Sequence, residues 1–175
     1  MQPTEPALGS FAKADDRGVL RIEERYDTDV NDLWSAITEP ARLARWFGKI
    51  DGDLRPGGRF NLSAEWDGGG RVEECEAPRR LRVTVRESDE SYRQGNGVPP
   101  FDSSIEATLT PDGDQTVLVA VIKGMPLDKI QFYGVGWQIN AEKLGSYIGG
   151  REIGDTELRW EELLPAYVAL ADELG

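Results

Sequence analysis

Apolar positions along the chain change period several times. From Val19 to Tyr26, the residues Leu20, Ile22 and Tyr26 share one face of a strand, and Glu24 is the exception on that face. Val30, Leu33, Trp34 and Ile37 then recur three and four apart behind Asp29, a suitable N-cap for a helix. Pro40 opens a second short helix with Leu43, Trp46 and Phe47 on its apolar side.

A strand-rich stretch follows. Residues 51–58 read as a turn region. Phe60, Leu62, Ala64 and Trp66 alternate with polar neighbours, and the pattern predicts a strand with one apolar face. Asp67 to Gly70 reads as a glycine-rich turn, and Arg71 to Glu76 as a weaker strand ended by Pro78. Leu81, Val83 and Val85 form another half-buried strand. Ser88 to Pro100 is polar, bears Gly and Pro, and reads as a mobile loop near a site. Ile105, Ala107 and Leu109 lead into the hairpin signal Pro111-Asp112-Gly113-Asp114. Thr116 to Ile122 is so continuously apolar that burial on both faces is expected.

After Pro126 the period is helical again. Asp128 can cap a helix with Ile130, Tyr133, Trp137, Ala141, Leu144 and Ile148 in one stripe, closed by Gly149-Gly150. Gly134, Gly136 and Gly145 inside it imply close packing or a bend. Asp155 caps a last helix through Trp160, Leu163, Leu164, Tyr167, Leu170, Ala171 and Leu174, which Pro165 should kink or split. Its apolar face must be buried on the main body or in a homodimer.

Strands clustered between helices predict an α+β fold with an antiparallel sheet. The expected organisation is a flexible N-terminal arm over 1–18, one domain over 19–150 and an additional helix over 151–175. A curved sheet closed by one long helix encloses a hydrophobic cavity.

Composition narrows the chemistry. The 175 residues include 32 acidic and 20 basic side chains, a formal charge of −12, one Cys and no His. The missing histidine excludes Ser-His-Asp and Cys-His catalysis, His-ligated zinc and imidazole proton transfer. The single Cys75 cannot form an internal disulfide and reads as a small apolar residue. The negative charge disfavours nucleic acid and acidic membrane as partners. No apolar run approaches the roughly 20 residues of a membrane span, and the first residues lack a secretion pattern, so a cytoplasmic protein without membrane insertion is expected. Asp67-Gly68-Gly69-Gly70-Arg71 lacks the ending of a phosphate loop, and Asp51-Gly52-Asp53 has too few ligands for a calcium loop. No metal and no cofactor are expected.

The run Asp29-Val30-Asn31-Asp32-Leu33-Trp34-Ser35-Ala36-Ile37-Thr38-Glu39-Pro40, then Leu43, Trp46-Phe47 and Gly52-Asp53-Leu54-Arg55-Pro56-Gly57-Gly58-Arg59-Phe60, resembles the SRPBCC superfamily. The branch is that of the activator of heat-shock-protein-90 ATPase homologue-like proteins. Gly70-Arg71-Val72-Glu73-Glu74, Pro78-Arg79-Arg80-Leu81 and Gly136-Trp137 extend the similarity. It implies a helix-grip fold, a curved antiparallel sheet wrapped around a long helix, with two short helices after the first strand. Val85 stands where many relatives carry a large aromatic, which implies a differently shaped pocket.

Trp46, Phe60, Leu62, Trp66, Val83, Val85, Ile105, Trp137 and Leu144 are the expected pocket lining, with Phe101, Phe132 and Tyr133 nearer its mouth. Among the acids, Glu65 should face solvent. Glu74 and Glu76 share a face with Val72, which leaves Glu74 as the candidate for proton transfer. The leading expectation is non-catalytic binding of a small hydrophobic or amphipathic molecule. A polyketide cyclase- or aromatase-like enzyme using the same pocket is the first alternative, and a co-chaperone-like interaction module with a chaperone partner the second.

Overall fold

The computed structural model describes residues 8–63, 67–87 and 101–174. Strands β1 (Ser10–Ala14) and β2 (Arg17–Tyr26) lead into helices α1 (Val30–Thr38) and α2 (Pro40–Trp46). Six strands follow: β3 (Lys49–Gly52), β4 (Arg59–Ser63), β5 (Asp67–Glu76), β6 (Arg80–Glu87), β7 (Asp102–Asp112) and β8 (Gln115–Pro126). A single 3-10 turn precedes the long helix α3 (Ile130–Ile148), and α4 (Thr156–Glu173) ends the chain. All eight strands form one antiparallel sheet in the order β1-β2-β8-β7-β6-β5-β4-β3. The fold is α+β, as the order of periods predicts.

The helix starts follow from local chemistry. Asp29 accepts a hydrogen bond from the Asp32 N–H at 2.8 Å, and Asp155 does the same for Leu158 at 3.0 Å. Each satisfies one of the donors that a helix N-terminus leaves unpaired. Pro40 occupies the first turn of α2, where its missing N–H costs nothing.

Several expectations are corrected. Ser10–Ala14, placed in the flexible arm over 1–18, forms β1, which pairs with β2 across a two-residue turn. Asp15 and Asp16 both take positive φ there, the geometry of the tight turn that matches strand twist. Gly68, Gly69 and Gly70 are strand residues, paired with Leu62, Asn61 and Phe60, not a turn. A β-carbon at Gly70 would lie 2.5 Å from both Phe60 Cζ and the Thr84 carbonyl oxygen, so the bare backbone lets the Phe60 ring lie across β5. Pro165 does not split α4, which runs unbroken from Thr156 to Glu173. The β8 stripe is deeply buried only at its ends on the inner side. Val117, Val119 and Val121 on the outer face are half-buried beside Arg25, Glu23 and Arg21, whose stems flank them. Trp66 and the loop expected over 88–100 lie outside the described residues.

Helix α3 lies over β2 and β8, and α4 packs on α3 and reaches β1. Leu20, Ile122, Ile130, Val135, Leu163 and Tyr167 form the densest part of the core there. Of the three interior glycines of α3, Gly134 makes the tight approach: a β-carbon would meet Tyr167 Cδ1 at 2.6 Å and Phe11 Cζ at 2.7 Å. The α4 face is therefore buried on the body of the same chain.

A polar chain runs through this apolar contact. The Gly9 N–H donates to the Tyr167 hydroxyl at 2.8 Å, which donates to Gln138 Oε1 at 2.5 Å. Gln138 Nε2 donates to Glu142, and Arg159 holds both oxygens of Glu142 at 2.7 and 2.9 Å. Each buried polar group has a partner, so the network fixes α4 and the N-terminal segment in register on α3. The stripe expected for α3 missed Gln138, which is 1% exposed.

Candidate functional site

Among the described residues α3 packs on β2 and β8 and α2 packs on β3, which leaves space between α3 and strands β4–β6. A cavity of about 250 Å³ lies there. Alternation supplies its floor: Phe60 and Leu62 from β4, Leu81, Val83 and Val85 from β6, Ile105 and Ala107 from β7, Leu118, Ala120 and Ile122 from β8. Helix α3 contributes Trp137, Asn140, Ala141 and Leu144, and α1 with α2 closes one end through Trp34, Ile37, Thr38, Leu43 and Trp46.

Two of the lining aromatics, Trp46 and Tyr26, have their polar tips engaged by backbone. Trp46 Nε1 donates to the Ala36 carbonyl at 3.0 Å, and the Tyr26 hydroxyl donates to the Ala141 carbonyl at 2.8 Å. Thr38 Oγ1 is likewise used by the Trp34 carbonyl at 2.6 Å. Phe47 links the two walls, stacking on Trp137 at 6.1 Å and tilting against Trp46 at 5.5 Å between ring centroids. Burial pushes the Tyr26 hydroxyl far above its ordinary range, helped by Glu24 and then Glu142, so it stays a neutral donor.

Eight of the expected lining residues border this cavity: Trp46, Phe60, Leu62, Val83, Val85, Ile105, Trp137 and Leu144. Phe101, Phe132 and Tyr133 do not. They line a second, outer groove of about 800 Å³ between β6, β7, α3 and the start of α4. Phe101 meets Tyr133 edge-on at 5.4 Å, and Phe132 stacks on Trp160 of α4 at 6.4 Å. Burial, with Glu87 and Asp128, pushes the Tyr133 hydroxyl up to about 12. Phe47, Val85, Trp137 and Asn140 border both hollows, so the outer groove adjoins the cavity through a shared wall.

Glu74 is not in the cavity. A β-bulge between Val72 and Glu74 shifts the register by one residue, which reverses every later side chain in β5. Val72 and Cys75, three apart, both face inward, while Glu74 lies outside and is held by Arg80 at 2.8 Å and Arg82 at 3.2 Å. It belongs to a ladder of ion pairs over the outer face that includes Arg71–Glu73, Arg80–Glu106 and Arg25–Asp112. Such solvent-screened pairs contribute little stability.

The acid that does face the cavity is Glu24. It lies opposite Leu118, between Ile22 and Tyr26 on the inner face of β2. Burial, and secondarily Glu142, raises its carboxyl above the usual glutamate range. Among the described residues no donor hydrogen-bonds to it, and no Lys or Arg lines the cavity. Its signal in the sequence is the break in alternation at Glu24, an acid on a face otherwise reserved for Leu20, Ile22 and Tyr26.

An antiparallel sheet gripping one long helix over an apolar cavity defines a helix-grip protein. The family model described as activator of Hsp90 ATPase homolog 1-like protein matches residues 27–149, and the chain belongs to that family, within the SRPBCC superfamily. CalU16 from Micromonospora echinospora is 31% identical with a TM-score of 0.74, covering 98% of this chain and 99% of its own. DynU16, a protein of the dynemicin biosynthetic locus, is 21% identical with a TM-score of 0.65 over 82% of this chain and 51% of its own. EF2215 of Enterococcus faecalis, a conserved protein of unknown function, is 15% identical with a TM-score of 0.74, covering 95% of this chain and 92% of its own. No curated protein matches the chain. Among the described residues no helix is long and apolar enough to cross a membrane, and no group of three or more His, Cys, Asp or Glu could hold a metal.

Proposed function

We propose that this protein binds a small, mainly apolar molecule in the cavity between α3 and strands β2–β8. The supporting observation is that the lining is almost wholly apolar and that Trp46 and Tyr26 have their polar tips bonded to backbone, so the hollow offers mainly hydrocarbon and aromatic surface to whatever enters. Water gains few hydrogen bonds there, and an apolar occupant removes its own surface from water at about 25 cal/mol per Å². A volume of about 250 Å³ lies just below the roughly 300–1,000 Å³ typical of ligand pockets, which favours a compact ligand. The adjoining outer groove can take a part that extends beyond the cavity.

Fluorescence titration with neutral N-phenyl-1-naphthylamine tests this reading. Saturable one-site binding is expected, and it should be lost in the double variant Ala107→Leu/Ala120→Leu, which fills the cavity from two strands. Unchanged binding by that variant, with its fold verified by circular dichroism, would count against the cavity as the site.

A further inference from the structure

Glu24 gives the cavity a polarity that the proposed apolar binding does not require. A carboxylate on an otherwise apolar wall is costly unless something pairs with it. Nothing in the described protein does so. Glu142, the other acid influencing this position, is already held by both Arg159 nitrogens and by Gln138, so it supplies negative potential and no donor. The other polar groups bordering the cavity are distributed unequally. Tyr26 and Thr38 spend their hydroxyl protons on backbone carbonyls, while the Asn140 amide, on α3, has no partner among the described residues. Trp34, Trp46 and Trp137 border the same space, and aromatic rings can attract cations.

Building on the proposed binding role, we infer that the ligand is an amphipathic amine. Its protonated nitrogen lies against the Glu24 carboxylate and its apolar body fills the space toward β4–β6. An ammonium supplies the missing donor and the missing charge together, and a charge-assisted hydrogen bond gains strength where water is scarce. A carboxylate ligand of the same shape meets the reverse conditions: a like charge at Glu24 and no cation on the lining. Glu24 thus sets which head group enters, and the hydrocarbon wall sets the size and shape of the tail.

Octylamine, octanol and octanoate share one tail and differ in the head. Calorimetric titration of the full chain at neutral pH should rank them in that order, with the amine tighter than the carboxylate by roughly tenfold or more. Glu24→Gln should reduce octylamine to the affinity of octanol. Glu23→Gln removes the same charge one residue away on the outer face of β2, and it should keep the preference. Octanoate binding as tightly as octylamine, or an amine preference that survives Glu24→Gln, would overturn the assignment to Glu24. Equal binding of all three would overturn it while leaving an apolar site in place. Binding of none would overturn it together with the apolar-ligand reading.

Discussion

The two halves of this sheet solve the same problem differently. Around Leu20 and Ile122, where the first half of β2 pairs with the end of β8, α3 and α4 cover the inner face, and Leu20, Ile122, Val135 and Tyr167 are fully buried. From Glu24 of β2 and Ala120 of β8 across to β4–β6 the inner face borders the cavity, and the buried cluster on β4–β6 is Phe60, Val72 and Val85. Both halves alternate apolar and polar residues along their strands. What separates them is the reach of α3: a helix of 19 residues can cover only part of a sheet this wide. The filled half holds the larger buried cluster, and the hollow half is the place of the proposed ligand.

Mutations should separate the halves by size of effect. The largest loss is expected at Tyr167, where Ala should cost about 3–5 kcal/mol in denaturant unfolding through the cavity it opens. Tyr167→Phe isolates the hydroxyl, and about 1–3 kcal/mol is expected because the Gly9 N–H and Gln138 both lose a buried partner. Next comes Gly134→Ala, whose methyl collides with Tyr167 and Phe11; overpacking of this kind costs about 1–3 kcal/mol. The hollow half should show the opposite sign. Ala120→Leu adds side chain into empty space and should raise stability by about 0.5–2 kcal/mol while weakening ligand binding. A loss of stability from Ala120→Leu equal to that from Gly134→Ala would erase the distinction between the halves.

The smallest effect is pH-dependent. The folded-state carboxyl of Glu24 is raised above its ordinary value of 4.5, so the folded protein holds this proton more tightly than the unfolded chain does. Its contribution is fully present below that ordinary value and is lost as pH rises through the folded-state value. Glu24→Gln should therefore be more stable than the parent at neutral pH, by no more than about 1 kcal/mol for a half-exposed group, and the difference should vanish toward pH 4.5. Thermal unfolding at both pH values checks it.

The sequence reveals the architecture better than it reveals the site. Caps at Asp29 and Asp155, the alternation in β4 and β6 and the helical stripe of α3 are local signals, and each corresponds to an element of the fold. Long-range geometry decides the rest. One unannounced bulge in β5 exchanges the inward and outward sets, sending Cys75 to the cavity and Glu74 to the surface. Gly68-Gly69-Gly70 reads as a turn until Phe60, placed from another strand, shows why β5 must be bare there. Gln138 sits at a polar-looking helix position whose burial depends on Tyr167, 29 residues away. Phe132 and Tyr133, expected near the mouth of the cavity, lie along the outer groove, where Phe132 stacks on Trp160 of α4.

The central claim is that the hollow half of the sheet receives an apolar ligand and the filled half does not. Methyl-resolved NMR during titration with N-phenyl-1-naphthylamine tests it most directly, since an aromatic probe shifts the methyl groups it lies against. Saturable shifts are predicted at Leu62, Val72, Val83, Val85, Ile105 and Leu118, with Val135 and Leu163 unmoved. Shifts confined to Val117, Val119 and Val121 on the outer face, or to the α3–α4 contact, would contradict the account.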